Sequence, residues 1–381
     1  MKKLIGLFLL VALSACSPKP YVLIQDVTVF DGESLHENVN FVFLDSVIIG
    51  ISPKKKRYSG AQIIDGKGMT IIPPLINAHV HVREGENLKA ALQHGVFALM
   101  DMFSTDNRAN ALRQFNDSLS YARFYSSNVG ATVPGGHGTQ FRVSIPTIDD
   151  DLSAKQFVND RIAAGADYIK LTQEHSMEKL SPQQLGDIVQ AAHQQDKKVV
   201  GHISTLSDAL DLANHQVDGL AHIWYRQGAI ADASALVSFR NDHLFIIPTL
   251  SVIQKVIESA AQNGYADRYL SFPQVQAEVR KAYTAGIPIL AGTDAPNYQL
   301  NYTTQLYEEL ILLKACGIPD LAVLKAATTN IYQQFALPDF GLLQPNSMAN
   351  FILVPGKPHE DISGLKVGMR VWKRGVEILG S

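Results

Sequence analysis

Two hydrophobic rhythms alternate along this chain. Short apolar runs occupy residues 71–80, 96–102, 123–126, 168–172, 198–203, 219–223, 244–250 and 288–292. Runs of this length read as buried strands. Between them apolar positions recur every three or four residues, as at 87–94, 181–194, 205–214 and 272–285, the spacing of one helix face. Eight strands alternating with helices predict an α/β fold of parallel βα units. A (β/α)8 TIM barrel fits that count, and pattern alone leaves a doubly wound sheet as the alternative. One further helix is expected over 321–337. Ahead of the barrel, residues 21–24, 27–30, 39–44, 47–51 and 62–63 are strand-like, with turn signals at Asp31-Gly32 and Ser59-Gly60.

The chain of 381 residues is long enough for one large domain and a small one. Its 46% apolar and 18% charged content suits a buried core rather than a disordered chain. With a formal net charge of −3, the tightest basic run, Lys54-Lys55-Lys56-Arg57, reads as a solvated turn. No nucleic-acid partner is expected. Cys16 and Cys316 are the two cysteines, and no structural disulfide is expected; Cys316 reads as a small core residue.

The first residues read as a targeting segment. Lys2 and Lys3 precede an apolar stretch, 4–13, that is too short to span a bilayer comfortably. Leu13-Ser14-Ala15-Cys16 resembles a bacterial lipobox, which implies a signal peptide over 1–15, a lipidated Cys16 and a tether over 16–20. Several acyl chains on one cysteine would anchor the protein to a membrane. Ser17, where Asp is absent, points to the outer membrane of a bacterial envelope, with the protein facing the periplasm. An ordinary signal peptide or an uncleaved helix is the alternative.

Chemistry gathers at strand ends. His79 and His81 are two apart, so on a strand they project from one face as half of a metal site. Two unrelated loop histidines would have the same spacing. Lys170, His202, His222 and Asp294 end the fourth, fifth, sixth and eighth apolar runs. A polar group ending an apolar run is costly to bury without a partner, and six such groups meeting at one mouth can be satisfied by cations. Singly, each histidine could be a hydrogen-bonded structural residue, Asp294 could cap the following helix, and Lys170 could pair with Glu174.

Pro73-Pro74-Leu75-Ile76-Asn77-Ala78-His79-Val80-His81 resembles the opening signature of the amidohydrolase superfamily, Pro-Gly-Leu-Ile-Asp-x-His-x-His, with Pro74 in place of Gly and Asn77 in place of Asp. Val29-Phe30-Asp31-Gly32, Ala327-Thr328-Thr329-Asn330 and 348–354 resemble further elements of that superfamily, Asn350 standing where Asp is common. The resemblance implies a barrel over 69–338 beside a small β-sandwich built from 21–68 and 339–381. The order His-x-His, Lys, His, His, Asp resembles the binuclear members. It implies that His79, His81 and Asp294 hold a buried metal, that His202 and His222 hold a more exposed one, and that Lys170 bridges them as a carbamate formed with CO2. Single-metal deaminases of the superfamily generally lack that lysine. An ammonium cannot ligate a cation, whereas a carbamate is an anionic oxygen ligand.

Two divalent metals, most simply zinc, would acidify a bridging water, and Asp294 would act as general base and then acid in C–N bond hydrolysis. The loop Gly135-Gly136-His137-Gly138 resembles one in the imidazolonepropionase-like and Xaa-Pro-dipeptidase-like branches, where His137 could meet a carboxylate or oxyanion; a Gly-rich turn with an exposed histidine is the alternative. Tyr225 and Arg226 are further substrate candidates, or else a packed tyrosine and a surface salt bridge. His94, His175 and His243 read as ordinary. The expected partner is a small amide or dipeptide-like molecule; a homo-oligomer is left open. A catalytically silent envelope binding protein and a lactone or ester hydrolase are the competing readings.

Overall fold

The structure, a computed structural model, describes residues 20–53, 58–141, 143–239, 244–338, 340–366 and 368–378. Cys16 with its targeting segment, the basic run 54–57 and His243 lie outside the described residues.

The chain opens with β1 (Val22–Phe30), β2 (Leu35–Leu44), β3 (Val47–Pro53), β4 (Gln62–Asp65) and β5 (Met69–Ile72). The barrel follows with β6 (Leu75–Val80), β7 (Val96–Asp101), β8 (Arg123–Ser126), β9 (Ile169–Thr172), β10 (Val199–His202), β11 (Gly219–Ala221) and β12 (Phe245–Ile247). The chain closes with β13 (Phe351–Pro355), β14 (Arg370–Lys373) and β15 (Val376–Ile378).

Strands β6, β7 and β8 form one parallel sheet and β9 to β12 another. A parallel bridge between Ala131 and Leu171 joins them on one side. The run 288–292 closes the other side as the eighth member, through bridges and single hydrogen bonds rather than a regular ladder. Ile289 bridges Ile246, and Ala78 N–H donates to the Ala291 carbonyl at 2.9 Å. The architecture is therefore a (β/α)8 TIM barrel.

The stretch 71–80 is two strands, not one. Proline lacks an amide hydrogen and fixes its φ, so Pro73-Pro74 interrupts the ladder. Ile71 and Ile72 pair with β13, while β6 enters the barrel. Asn77 has its own function: its amide donates to Thr293 Oγ1 (2.9 Å) and its carbonyl accepts from Thr293 N–H (3.1 Å). It thereby ties β6 to the eighth run.

Both chain ends share one sheet, in the order β15-β14-β13-β5-β1-β2-β3, with β4 beside β1. Phe41, Phe43, Phe351 and Trp372 fill a separate apolar core there, Phe351 stacking on Trp372 at 4.9 Å. This is the small β-sandwich beside the barrel. The helix expected over 321–337 is two, Asp320–Ala326 and Thr329–Phe335. The break between them frees the Ala326 and Ala327 carbonyls, which accept from Ala291 and Ile76 N–H. Asn330 donates to the Ile289 carbonyl at 3.1 Å, so the break helps hold the eighth run in place.

Candidate metal centre

Every barrel strand ends at the same face, and the polar residues found there come from most of them. His79 and His81 project together from the end of β6, their rings 5.3 Å apart. Asp294, after the eighth run, faces both: its Oδ1 lies 3.1 Å from His79 Nε2 and 2.8 Å from His81 Nε2. One ligand atom from each of the three lies within 4.8 Å of the others, a set able to hold a cation. The His222 ring is 5.0 Å from that of His79 and 4.8 Å from that of His202. Lys170, on β9, is buried at the floor of the same cavity. The six residues singled out in sequence therefore share one cavity.

The backbone works to aim them. His222 (φ +80°), Thr249 (φ +51°) and Asp294 (φ +62°) all lie in the left-handed region, disfavoured for residues with a Cβ. Strain of this kind persists where surrounding structure imposes it, and it gathers at functional sites. Gly292 carries the eighth run close to β6: a Cβ there would sit 2.5 Å from Ile247 Cγ2 and 2.8 Å from the His79 nitrogen.

Hydrogen bonds leave a specific ring nitrogen open on each outer histidine. Thr249 Oγ1 donates to the Pro248 carbonyl (2.8 Å), so toward His222 Nδ1 (2.6 Å) it accepts. His222 is thus protonated on Nδ1 and presents Nε2. Glu174 Oε2 lies 3.2 Å from His202 Nε2, so that nitrogen donates and Nδ1 is left for a cation.

Electrostatics suit cation ligands at several of these positions; His81 is the exception, since burial lowers it but Asp294 and Asp101 outweigh burial and raise it. Burial pulls His79 down to about 3, with Asp294 opposing, and holds His222 well below its ordinary value. Both are neutral imidazoles near neutral pH, as ligands must be. Burial also lowers Lys170 to about 7, only Asp294 opposing it. Its Nζ and His79 Nδ1 have no hydrogen-bond partner among the described residues. Burial pushes the Asp294 carboxyl up, but His79 and His81 outweigh it and hold it well below the carboxylate range. A buried amine with no partner among the described residues, in one cavity with several imidazoles and a carboxylate, fits a site built for divalent cations and a modified lysine.

The cavity above this floor measures about 580 Å³. His137 and Tyr225 line it. His137 stacks on His202 at 4.3 Å, and burial holds it neutral at about 3, so it can donate but carries no charge. Tyr225 also stacks on Tyr269 at 5.9 Å. Arg226 is not among the lining residues. Its Nε pairs with Glu174 at 3.1 Å and its guanidinium lies over the Tyr269 ring, so the salt bridge, not an open substrate contact, is what the structure shows. Glu174 likewise pairs with His202 and Arg226 rather than with Lys170.

Sequence reasoning passed over Thr249, the Glu174–His202 contact and Asp101, which accepts from Val82 N–H and Ser126 Oγ beside His81. Thr249 and Asp101 end the seventh and second runs, so the strand-end argument applied to every strand would have reached them. Glu174 lies in a loop, where sequence carries no register.

The sequence signature of the Amidohydrolase family matches residues 70–376. An adenine deaminase of Bacillus subtilis (strain 168) is 25% identical over 298 residues, 69% of this chain and 47% of its own length. An adenine deaminase of Oceanobacillus iheyensis is 24% identical over 88% of this chain and 53% of its own. The chain thus spans about half the length of the curated relatives it matches. Among solved structures, a Xaa-Pro dipeptidase with methionine bound in its active site superposes with a TM-score of 0.77 at 21% identity, covering 94% of this chain and 99% of that one.

Proposed function

Since this chain belongs to the amidohydrolase family, we propose that it is a binuclear metal-dependent hydrolase cleaving the C–N bond of a small amide, peptide-like or cyclic. The observation that carries this reading is Lys170: a buried lysine, lowered to about 7 by its burial, whose Nζ has no partner among the described residues and shares a cavity with five imidazoles and Asp294. A neutral amine can take up CO2, and the resulting carbamate supplies the anionic oxygens that such a cluster lacks.

His79, His81 and Asp294 would hold one cation, His202 through Nδ1 and His222 through Nε2 the other, with carboxylated Lys170 between them. Bound there, divalent cations acidify water and polarise a carbonyl. Asp294, kept ionised by His79 and His81, accepts a proton from the attacking water and returns it to the leaving nitrogen. His137 donates to the substrate, and Tyr225, which lines the same cavity, offers its hydroxyl. We further propose that Cys16 is lipidated and anchors the enzyme to the bacterial envelope; lack of labelling by a lipid precursor would remove that part.

The decisive experiment reconstitutes the protein with zinc and bicarbonate. Close to two equivalents of metal and turnover of some dipeptide, N-acyl amino acid or cyclic amide are expected. Adenine joins the panel because of the deaminase relatives. Less than one equivalent of metal with no turnover would favour a silent binding barrel, and turnover of lactones alone an ester hydrolase.

A further inference from the structure

Beyond the candidate ligands, the cavity carries two cations that the chemistry above does not use. Arg83, two residues past His81, and Arg108, in the first turn of the helix Asp106–Arg113, both line it and are exposed. Neither guanidinium has a carboxylate partner among the described residues. Acidic neighbours are at hand for both. Glu84 adjoins Arg83 in sequence, yet no ion pair forms, and Glu86 pairs with Lys89. Asp106, two residues before Arg108, is engaged by Arg161 at 2.9 Å. A cation in the first turn of a helix also opposes the helix dipole, so Arg108 is placed against its local electrostatics.

Both arginines act on one side chain, as do Asp101 and Glu84. The Tyr302 hydroxyl, which donates to the His81 carbonyl at 2.7 Å, lies within the electrostatic reach of both. They therefore border the sector of the mouth where Tyr302 meets the His81 backbone. The carboxylate lining the same cavity is Asp294, on the floor. Apolar side chains also line the cavity, among them Phe103, Phe141, Val143, Val252, Val256 and Tyr298. Phe141 (57% exposed), Val143 (44%) and Tyr298 (51%) are apolar side chains turned to solvent at the rim. Such a patch at the edge of a cavity marks a surface that an apolar group covers.

On the hydrolase reading above, we infer that the substrate is an amide bearing one free carboxylate and one sizeable apolar group, as in an N-acylated apolar amino acid. Arg83 and Arg108 hold the carboxylate, and the rim formed by Phe141, Val143 and Tyr298 covers the apolar group. The paired guanidiniums select against the uncharged analogue, which leaves both cations without a partner.

The test compares N-benzoyl-leucine with N-benzoyl-leucinamide as substrates, cleavage at the benzoyl amide being read for both. It uses the full metal-loaded chain and the variants R83Q, R108Q and the double variant. In parallel, calorimetry measures binding of the uncleavable N-benzenesulfonyl-leucine and its carboxamide. The free acid should be preferred, with each substitution weakening it roughly tenfold, chiefly in KM, while the carboxamide is unchanged. The double variant should lose the preference, and added salt should reduce it in the wild type. Equal handling of acid and carboxamide by the wild type, or a preference that survives in the double variant, overturns the inference. If the wild type cleaves nothing in any panel, the hydrolase reading falls; the sulfonamide pair then still decides whether these arginines recognise a carboxylate.

Discussion

Thr249 Oγ1 lies 2.6 Å from His222 Nδ1, and because that hydroxyl already donates to Pro248, it fixes the ring in the form whose Nε2 is open. Thr249→Val would leave the buried Nδ1–H without an acceptor and free the ring to rotate. Zinc affinity, measured by chelator competition, should fall roughly 10- to 100-fold, the usual effect of removing a partner behind a metal ligand. Thr249→Ser should recover most of it. Unchanged affinity in the valine variant would show that the contact does not hold the ring.

Glu174 is the corresponding support for His202. Burial pushes its carboxyl up, but His202, Arg226 and Ser204 bring it down to about 2, so it is ionised throughout the working pH range. Glu174→Gln keeps the shape but removes the charge that both His202 and Arg226 face. We expect kcat/KM to drop about tenfold or more, with metal occupancy reduced. Metal content and turnover measured together would separate this from a general loss of fold.

Lys170→Met replaces the unpartnered amine with an apolar side chain of similar length. The fold should persist, while activity and metal binding are lost. In the wild type, a carbamate resonance should appear on incubation with labelled bicarbonate and vanish in the variant. A lysine that remains a free amine at full metal occupancy would contradict the assignment.

Gly292→Ala probes the closure of the barrel over the site. Its new Cβ would meet Ile247 Cγ2 at 2.5 Å and the His79 backbone at 2.8 Å, and backbone cannot move aside as a side-chain tip can. Destabilisation of about 1–3 kcal/mol in urea unfolding is expected, with a weakened His79/His81 position.

Glu309 gives a pH signature separate from the candidate metal centre. It is fully buried and caps the helix Leu250–Gln262, accepting from Leu250 N–H, Ser251 N–H and Ser251 Oγ at 2.7–2.8 Å. Burial nevertheless raises its carboxyl from 4.5 to about 7. The folded state therefore holds this proton more tightly than the unfolded chain does. The resulting stabilisation is complete below pH 4.5 and is lost as pH rises through about 7. It amounts to roughly 3 kcal/mol at most. The stability advantage of wild type over Glu309→Gln should shrink across that window, and a constant difference would show that burial does not raise Glu309.

That six polar residues gather at one barrel mouth was legible because each follows an apolar run. Alternation along a strand puts His79 and His81 on one face, and the run before each of Lys170, His202, His222 and Asp294 delivers it to the same barrel end. The βα count supported a barrel for the same local reason. The split at Pro73-Pro74 was also readable in principle, since a proline pair lacks two ladder donors, but the length of the apolar run concealed it.

Contacts made across the fold were not legible. Arg226 follows His222 closely enough to suggest a substrate contact, yet a loop has no fixed period, and Glu174 from another loop takes it up. Arg83 and Arg108 look like ordinary surface cations in sequence; only the packing of neighbouring barrel units brings them to one rim. Local sequence determined which side chains reach the mouth of the barrel, because strand period and burial are set by near neighbours along the chain. Tertiary structure decided which nitrogen each histidine presents, which charges are paired and which stay open, because those depend on partners that only the closing of the barrel brings within hydrogen-bonding distance.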